Sequence, residues 1–288
     1  MHAPAATHIV EDLPPVGAML RQWRKHRGLS QMDLSFEADL SARHISFLET
    51  GRSQPSRRAL GALADALRIP LRERNELFEA AGFAHPYSDA TLSDSELAFH
   101  YDLVRSVLAR HEPWFAVAID RHWNIRMMNA AAEQFLAQFF CEGGIEPPLT
   151  PNLARLLFHP AGLRTCLLNW PDVRTHFMER LSRELIRNPM DAEFAVLVDE
   201  MASYVGVPGE DSSGGRDSRR GARRRDSARP ASEDLALVLH LSTGDMEARL
   251  IGTVMAFDSA RSPALEELRI ETFFPADEAT RMQMESAF

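Results

Sequence analysis

Histidine, aspartate and cysteine are the residues of this sequence that could act in catalysis or bind a metal. The candidates are His111, His122, His159, His176, His240, Asp120, Asp172 and Cys166. Their spacing matches none of the patterns HExxH, GxSxG, a Walker loop or paired Cys and His zinc ligands. We therefore expect no catalytic residue, no metal site and no enzyme. His159 is interpreted as a turn residue, Asn129 as a helix cap and Trp170 as part of a core.

The basic residues are concentrated near the start of the sequence. Residues 18–60 contain eight Arg or Lys against four Asp or Glu, although the whole chain has a net charge of −9. A basic segment joined to an acidic remainder favours nucleic-acid binding by that segment and another role for the rest. The length of 288 residues also favours two domains.

The apolar periodicity of residues 16–84 predicts five short helices. Ser30 is predicted to cap the second helix in a capping box with Asp33, and Ser41 to cap the third. Gly28 and Gly51 are predicted to end the first and third helices. Because only about three residues separate the second and third helices, the pattern predicts a helix-turn-helix.

Residues 16–69 resemble an Xre-type helix-turn-helix domain, the fold of the lambdoid phage repressors. Fifteen residues in the expected order carry the resemblance: Leu20, Arg24, Gly28, Leu29, Ser30, Gln31, Leu34, Ala38, Ser41, Ile45, Ser46, Leu48, Glu49, Gly51 and Pro55. In such domains one helix lies in the major groove of double-stranded DNA while the other crosses the backbone. The resemblance also implies an internal ion pair between Arg24 and Glu49.

The third helix is predicted to turn Ile45 and Leu48 inward, which leaves its opposite face for the DNA bases. The residues expected to contact DNA are Gln31, Ser41, Ala42, Arg43, His44, Ser46, Phe47, Arg52 and Arg57. Arg43 could bind guanine bidentately, and Phe47 could meet a thymine methyl or instead pack on the fourth helix. Gln31, Arg52 and Arg57 are expected to contact phosphates.

Beyond residue 84 the apolar period changes. Residues 85–110 are interpreted as a connecting segment and helix, and residues 111–281 as a second domain. Two strand-like runs near its start and three near its end, with helical patterns between them, predict a five-stranded sheet with helices over one face. Its first strand, turn, strand and helix resemble the beginning of a PAS-like sensor domain. The predicted fold is multidomain, an all-α five-helix helix-turn-helix domain followed by an α+β PAS-like domain.

Four motifs, in order, resemble the MmyB-like family of bacterial transcription regulators. They are "ERNELFEAAGFAHPY", "LLFHPAGLR", the pair Asn169 and Trp170, and "LEELRIETFFPADEAT". The resemblance covers about residues 16–281 and implies a bacterial regulator whose PAS-like domain holds a small apolar, fatty-acid-like molecule. No other cofactor is expected. Whether the regulator activates or represses transcription is left open.

A sheet with helices over one face can leave a cavity between the two layers. The side chains expected to line it, from period and order, are Phe115, Val117, Ile125, Met127, Leu157, Phe177, Leu181, Leu250, Val254 and Phe257. Gly252 is expected to face the same space. The alternatives are that the second domain serves only dimerisation or binding of a protein partner, or that the chain is a metal-dependent hydrolase.

The remaining expectations concern location, assembly and order. No apolar run reaches the roughly 18 residues of a membrane span, and the first residues lack the features of a signal peptide, so a cytoplasmic, nucleoid-associated protein without a membrane contact is expected. A homodimer is expected because one short recognition helix reads few bases. Residues 1–15 are interpreted as flexible. Residues 208–230, with seven Arg and almost no apolar residue, are interpreted as a disordered insertion.

Overall fold

A computed structural model describes residues 15–87, 98–139, 152–204, 236–242, 247–258 and 260–287. The expectations for residues 1–14 and 208–230 lie outside these described residues. The chain forms two compact units, and a short segment that contains helix α11 (Pro263–Glu266) groups with the first unit although it follows much of the second in sequence. Among the described residues, no helix combines the length and apolar character needed to cross a bilayer.

The first unit contains the five predicted helices. They are α1 (Val16–His26), α2 (Gln31–Glu37), α3 (Ala42–Glu49), α4 (Arg57–Ala66) and α5 (Leu71–Ala80). Trp23, Leu34 and Leu60 are fully buried between them, and Ile45 and Leu48 are 1% exposed. The predicted inward direction of Ile45 and Leu48 is therefore confirmed. The opposite face of α3 points away from the core.

The ends of α2 and α3 are fixed by short-range hydrogen bonds. The backbone N–H of Asp33 donates to Ser30 Oγ at 3.1 Å, and the N–H of Ser30 donates to Asp33 Oδ2 at 2.8 Å, which is the predicted capping box. The N–H of His44 donates to Ser41 Oγ at 3.1 Å. Gly51, at φ +70°, follows α3 in the left-handed conformation that glycine adopts readily. These contacts fix where both helices of the motif begin and where α3 ends.

The second unit combines a five-stranded antiparallel sheet with helices. Its elements, in chain order and apart from a 3-10 turn at Leu163–Cys166, are α6 (Ala98–Arg110), β1 (Ala116–Ile119), β2 (Ile125–Met128), α7 (Ala130–Phe139), α8 (Leu153–Phe158), α9 (Trp170–Arg187), α10 (Ala192–Ser203), β3 (Val238–Ser242), β4 (Glu247–Ala256), β5 (Arg269–Pro275) and α12 (Glu278–Ala287). The strand order is β2-β1-β5-β4-β3. The predicted five strands and the α+β class are confirmed.

Helices cover both faces of this sheet, so the expectation that they cover only one face is wrong. Val117 and Ile119 of β1 belong to the larger core, which α7, α8, α9 and α10 share. Ala116 and Ala118, which alternate with them, pack with Val104 of α6 in a smaller core on the other face. The amphipathic pattern of α6 predicts a helix, but it does not indicate which face of the sheet that helix covers.

A β-bulge in β2 changes the direction of its side chains. Ala118 pairs with Met127, but the next residue, Ile119, pairs with Ile125, so Arg126 has no directly opposite residue. One extra residue in a strand reverses the alternation of side chains beyond it. Ile125 therefore joins the larger core and Met127 packs against the smaller one.

Charged side chains join α9 to the face of the sheet that carries the larger core. Arg180 of α9 binds Glu271 of β5, with Nη1 3.1 Å from Oε2, and its Nε is 3.1 Å from Glu184 Oε1. Glu184 also pairs with Arg269 and accepts from Trp123 Nε1 at 2.9 Å. Burial by itself raises the pKa of Glu184, but the pairing with Arg269 and the other donors hold that pKa below its usual value. This ion network fixes the register of α9 on β5.

Candidate functional site

The outward face of α3 presents a paired cation and aromatic ring. The guanidinium carbon of Arg43 lies 5.3 Å from the ring centroid of Phe47, a cation-π distance. Arg43 is exposed, whereas Ala42, His44, Ser46 and Phe47 are half-buried. The pairing leaves Arg43 at the surface, where its N–H groups can reach the base edges of a major groove.

A buried ion pair connects α1 to the end of α3, and the first residue of α2 hydrogen-bonds to it. Arg24 Nε and Nη2 donate to the two oxygens of Glu49 at 2.6 Å and 2.8 Å, as the resemblance implies. Gln31 Nε2 donates to the same carboxylate at 2.9 Å. Burial raises the pKa of Glu49, but the hydrogen bonds from Arg24 and Gln31 hold it below the usual value, so the pair remains ionised near neutral pH. The first residue of α2 is thus fixed relative to the recognition helix.

The two arginines that were expected to contact phosphates differ in their surroundings. Arg52 is exposed just after α3, and Ser41 is exposed before it. Arg57 Nη1 donates to the carbonyl of Ala84 at 3.1 Å, and its guanidinium lies 5.2 Å from the ring centroid of Phe78. Arg57 is also exposed, so the expectation that it contacts a phosphate stays a prediction, although its side chain already joins the start of α4 to the residues after α5.

The second unit contains an apolar cavity of about 60 Å³ between the sheet and its helices. Its lining consists of the fourteen apolar residues Phe115, Val117, Ile125, Ala132, Phe135, Leu136, Leu153, Leu157, Leu163, Leu167, Leu239, Leu241, Leu250 and Phe273. Typical small-molecule sites measure about 300 to 1,000 Å³. The space therefore takes only a few non-hydrogen atoms unless the surrounding side chains move.

The structure brings together half of the side chains that were predicted to line a cavity. Phe115, Val117, Ile125, Leu157 and Leu250 all line this space. Phe177 and Leu181 are buried in the same core but elsewhere in it, with Phe177 5.9 Å from Trp123 between ring centroids.

Met127, Val254, Phe257 and Gly252 do not line the cavity, and these four assignments are corrected. The bulge at Arg126 turns Met127 to the other face of the sheet, and Phe257, just after β4, packs in the same smaller core. Val254 is 50% exposed, and Gly252 is exposed. Both follow Ile251, which pairs with the first residue of β3, so they lie in the half of β4 that β3 does not reach.

Sequence reasoning missed the contribution of α7 and β3 to the lining. Ala132, Phe135 and Leu136 occur at the three- and four-residue spacing of one helix face, and Leu239 and Leu241 alternate along β3. These patterns identify buried faces. They do not distinguish a residue beside a cavity from one that packs directly against a neighbour.

A larger hollow of about 620 Å³ lies along α9 near Ala202 of α10. Charged and polar residues such as Arg174, Glu179 and Arg183 form much of its wall, together with Met178. It is an open surface feature that lacks the apolar enclosure of the smaller cavity, and we therefore regard the smaller cavity as the candidate ligand site.

His122 and Asp191 of the second unit contact each other and have a structural role. His122 Nε2 is 3.0 Å from Asp191, whose carboxylate also accepts from the N–H of Phe194 at 2.9 Å and so caps α10. Asn129 caps α7 by accepting from the N–H of Ala132 at 3.1 Å, as predicted. Within the described ranges, no group of three or more His, Cys, Asp or Glu is arranged to hold a metal ion.

These features define a class of protein: a helix-turn-helix DNA-binding regulator with a separate domain that contains an apolar cavity. Residues 102–287 match the family model of the MmyB-like transcription regulator ligand binding domain, and residues 15–77 match that of a helix-turn-helix domain. The chain therefore belongs to the MmyB-like transcription regulators. A comparison with curated proteins finds no match.

Proposed function

We propose that this regulator binds specific DNA sequences through α3 and that its second unit senses a small apolar molecule of the fatty-acid type. The observation that carries the DNA half is the exposed Arg43 beside Phe47 on a helix whose other face is fully packed. Gln31, Arg52 and Arg57, at the start of α2, after α3 and at the start of α4, are the proposed phosphate contacts. We further propose that this regulator has no enzymatic activity, that it acts in the cytoplasm on the bacterial nucleoid, and that it needs no cofactor besides its ligand.

The apolar cavity supports the ligand half of the proposal. All fourteen lining residues are apolar, which favours a hydrocarbon chain and offers no partner for a buried charge. Since about 60 Å³ cannot hold a long acyl chain, the proposal requires that the side chains around α7 and α8 move apart when the chain enters. A headgroup would stay near the surface.

The ligand proposal is tested by mass spectrometry of small molecules extracted from the purified full-length protein. A bound acyl compound near one equivalent supports it. The complementary test selects duplexes from a random library and titrates them with the protein in the presence and absence of decanoate or palmitate. If neither acid is retained and neither changes DNA affinity, the fatty-acid proposal is wrong, whereas the selected duplexes still report on DNA binding.

The small size of the cavity favours a second candidate function. In this alternative the second unit holds no ligand and serves to pair two copies or to bind a protein partner, and the cavity is a packing defect of the core. It predicts an empty extract and a dimer that is unaffected by fatty acids.

Dimerisation is part of the proposed function in either case. One short recognition helix contacts few base pairs, and paired modules bind half-sites about one helical turn apart. We therefore propose a homodimer on a roughly palindromic duplex. Sedimentation at micromolar concentration, with and without a selected duplex, measures this directly.

A further inference from the structure

Among the described residues, no strand pairs with the second half of β4 on one of its sides. β3 pairs with Glu247–Ile251 only, and β5 pairs with β4 from Leu250 to Ala256 on the opposite side. The two described residues before β3, Ala236 and Leu237, are not in a strand. Within the part of the chain that the structure describes, the five residues 252–256 therefore expose one edge of the sheet.

The direction of each backbone N–H and C=O group at this edge follows from the alternation of hydrogen bonding along the strand. The carbonyl of Arg249 accepts from the N–H of Ala276 at 2.7 Å, so Arg249 faces β5 and the residues at odd positions after it do the same. The N–H and C=O groups of Gly252, Val254 and Ala256 then point to the open side. On β3, the carbonyl of His240 accepts from Leu168 on the side away from β4, which is consistent with this alternation.

The open segment lacks the devices that usually protect a sheet edge from pairing. Its sequence, Gly-Thr-Val-Met-Ala, contains no charged residue and no proline. Val254 and Met255 are each 50% exposed. An uncharged, partly apolar edge of this length is suited to accept another strand.

We propose that residues 252–256 form the homodimer contact, with β4 of one copy antiparallel to β4 of a second copy. A two-fold axis at Val254 places Val254 opposite itself and Gly252 of one copy opposite Ala256 of the other. The outward residues 252, 254 and 256 are symmetric about this axis, both outer positions are small, and no charge opposes itself across it. About six backbone hydrogen bonds can then form between the copies.

This inference rests on the proposed function in one respect, because a dimeric regulator needs a surface that joins two DNA-binding units. A second copy is favoured as the occupant because the small residues Gly252 and Ala256 meet each other across the axis without a clash and no like charges are brought together. Pairing here would extend each five-stranded sheet into that of the other copy.

The test uses charges of opposite sign at the proposed axis. In the proposed dimer of two Val254→Lys chains, or of two Val254→Glu chains, identical charges lie directly opposite each other. Like charges in this position destabilise a cross-strand pair. We expect each full-length variant alone to dimerise at least about tenfold more weakly than the wild type in sedimentation. An equimolar mixture is expected to recover a heterodimer, because a Lys then faces a Glu. Val196→Lys, at a valine of α10 that is 66% exposed, is the matched control and should leave dimerisation unchanged.

The outcomes separate this inference from the proposed function. A monomeric wild type, a mixture that stays monomeric, or equal weakening by Val254→Lys and Val196→Lys would overturn the inference. Circular dichroism identifies a variant that fails to fold, and recovery in the mixture requires both variants to be folded. Wild-type binding to selected duplexes is measured separately. Dimerisation through Val254 without DNA binding would refute the proposed function and leave the interface supported.

Discussion

At the scale of single residues, Arg43 is the side chain on which base recognition by α3 is expected to depend most. Its guanidinium lies against Phe47, which restricts its rotation before DNA arrives. A planar, preoriented guanidinium loses less conformational entropy when it binds O6 and N7 of guanine. Arg52 has no such neighbouring ring among the described contacts and suits a phosphate, which accepts hydrogen bonds from many directions.

Replacement of these two arginines is expected to affect DNA binding in different ways. Arg43→Ala should cost about 1 to 3 kcal/mol on the preferred duplex and relax the preference at one base position. Arg52→Ala should weaken all duplexes alike and reduce the salt slope by about one unit. Titration of a set of single-base operator variants at two salt concentrations measures both effects. Uniform loss for both variants would contradict the assignment of Arg43 to base recognition.

A second prediction at this scale concerns the buried ion pair of the first unit. Glu49→Gln should lower the free energy of unfolding of that unit by about 3 to 5 kcal/mol, because Arg24 remains buried without a countercharge. Scanning calorimetry of the full chain measures the loss. Glu37→Gln changes the same residue type at an exposed position of α2 and should have little effect. Equal melting temperatures of Glu49→Gln and Glu37→Gln would show that the ion pair contributes little to the stability of the first unit.

Residues that interact within one turn were predictable from the sequence, and distant contacts were not. The capping box of Ser30 and Asp33 joins residues three positions apart, so spacing alone indicates it. Arg57 reaches Ala84 across 27 positions, and its charge alone did not indicate this contact. The pair of Arg24 and Glu49, 25 positions apart, was accessible only through the family resemblance.

At the scale of elements, the ion network between α9 and β5 holds the largest helix of the second unit against the sheet. Glu184 is central because it contacts Arg180, Arg269 and Trp123. A carboxylate whose pKa is lower in the folded than in the unfolded state stabilises the fold above its unfolded pKa. That contribution is lost as the pH falls through the folded pKa.

The second unit is therefore expected to lose stability on acidification below about pH 4.3, the ordinary pKa of a glutamate. Glu184→Gln should be less stable than the wild type at pH 7, and the difference should shrink as the pH falls through the folded pKa of Glu184. Melting temperatures between pH 3 and pH 7 test this. Glu179→Gln, at an exposed position of α9, is the control and should follow the wild type. A constant difference between Glu184→Gln and the wild type over this range would contradict the prediction.

The type of each element was easier to predict than the direction in which it faces. The helix α6 and all five strands lie where the sequence pattern places them. The bulge at Arg126 could not be predicted, because a strand with one additional residue has the same composition as a regular strand. That single residue accounts for the wrong assignment of Met127.

At the scale of the whole molecule, the proposed ligand and DNA must influence each other's binding by the same factor. Such factors are typically about 5 to 150. Ala132 of α7 lines the cavity, whereas Ala130 of the same helix is exposed. A larger side chain at position 132 should occupy the space that the ligand needs.

We predict that Ala132→Leu binds the selected duplex as the wild type does but no longer responds to decanoate or palmitate. Ala130→Leu adds the same side chain at the surface and should keep the response. Fluorescence titration of the duplex with and without each acid, for three proteins, measures the coupling. An unchanged response in Ala132→Leu, with normal melting, would place the ligand elsewhere.

The division into two modules was predictable because each has its own composition and period. The concentration of basic residues in residues 18–60 separates the DNA-binding module from an acidic remainder. The size of the cavity was not predictable, since it depends on how closely some fourteen side chains from strands and helices pack together.

The wholly apolar lining of the cavity has a consequence for what such a regulator would measure. A site without hydrogen-bonding side chains ranks its ligands by hydrocarbon length, at about 0.8 kcal/mol or a fourfold gain in affinity for each buried methylene. It discriminates poorly between molecules that share a chain and differ in their polar ends. The regulator would then respond to the total concentration of lipid-like molecules in the cell and not to one compound. The concentration at which it responds would depend on how readily the side chains of the core move apart.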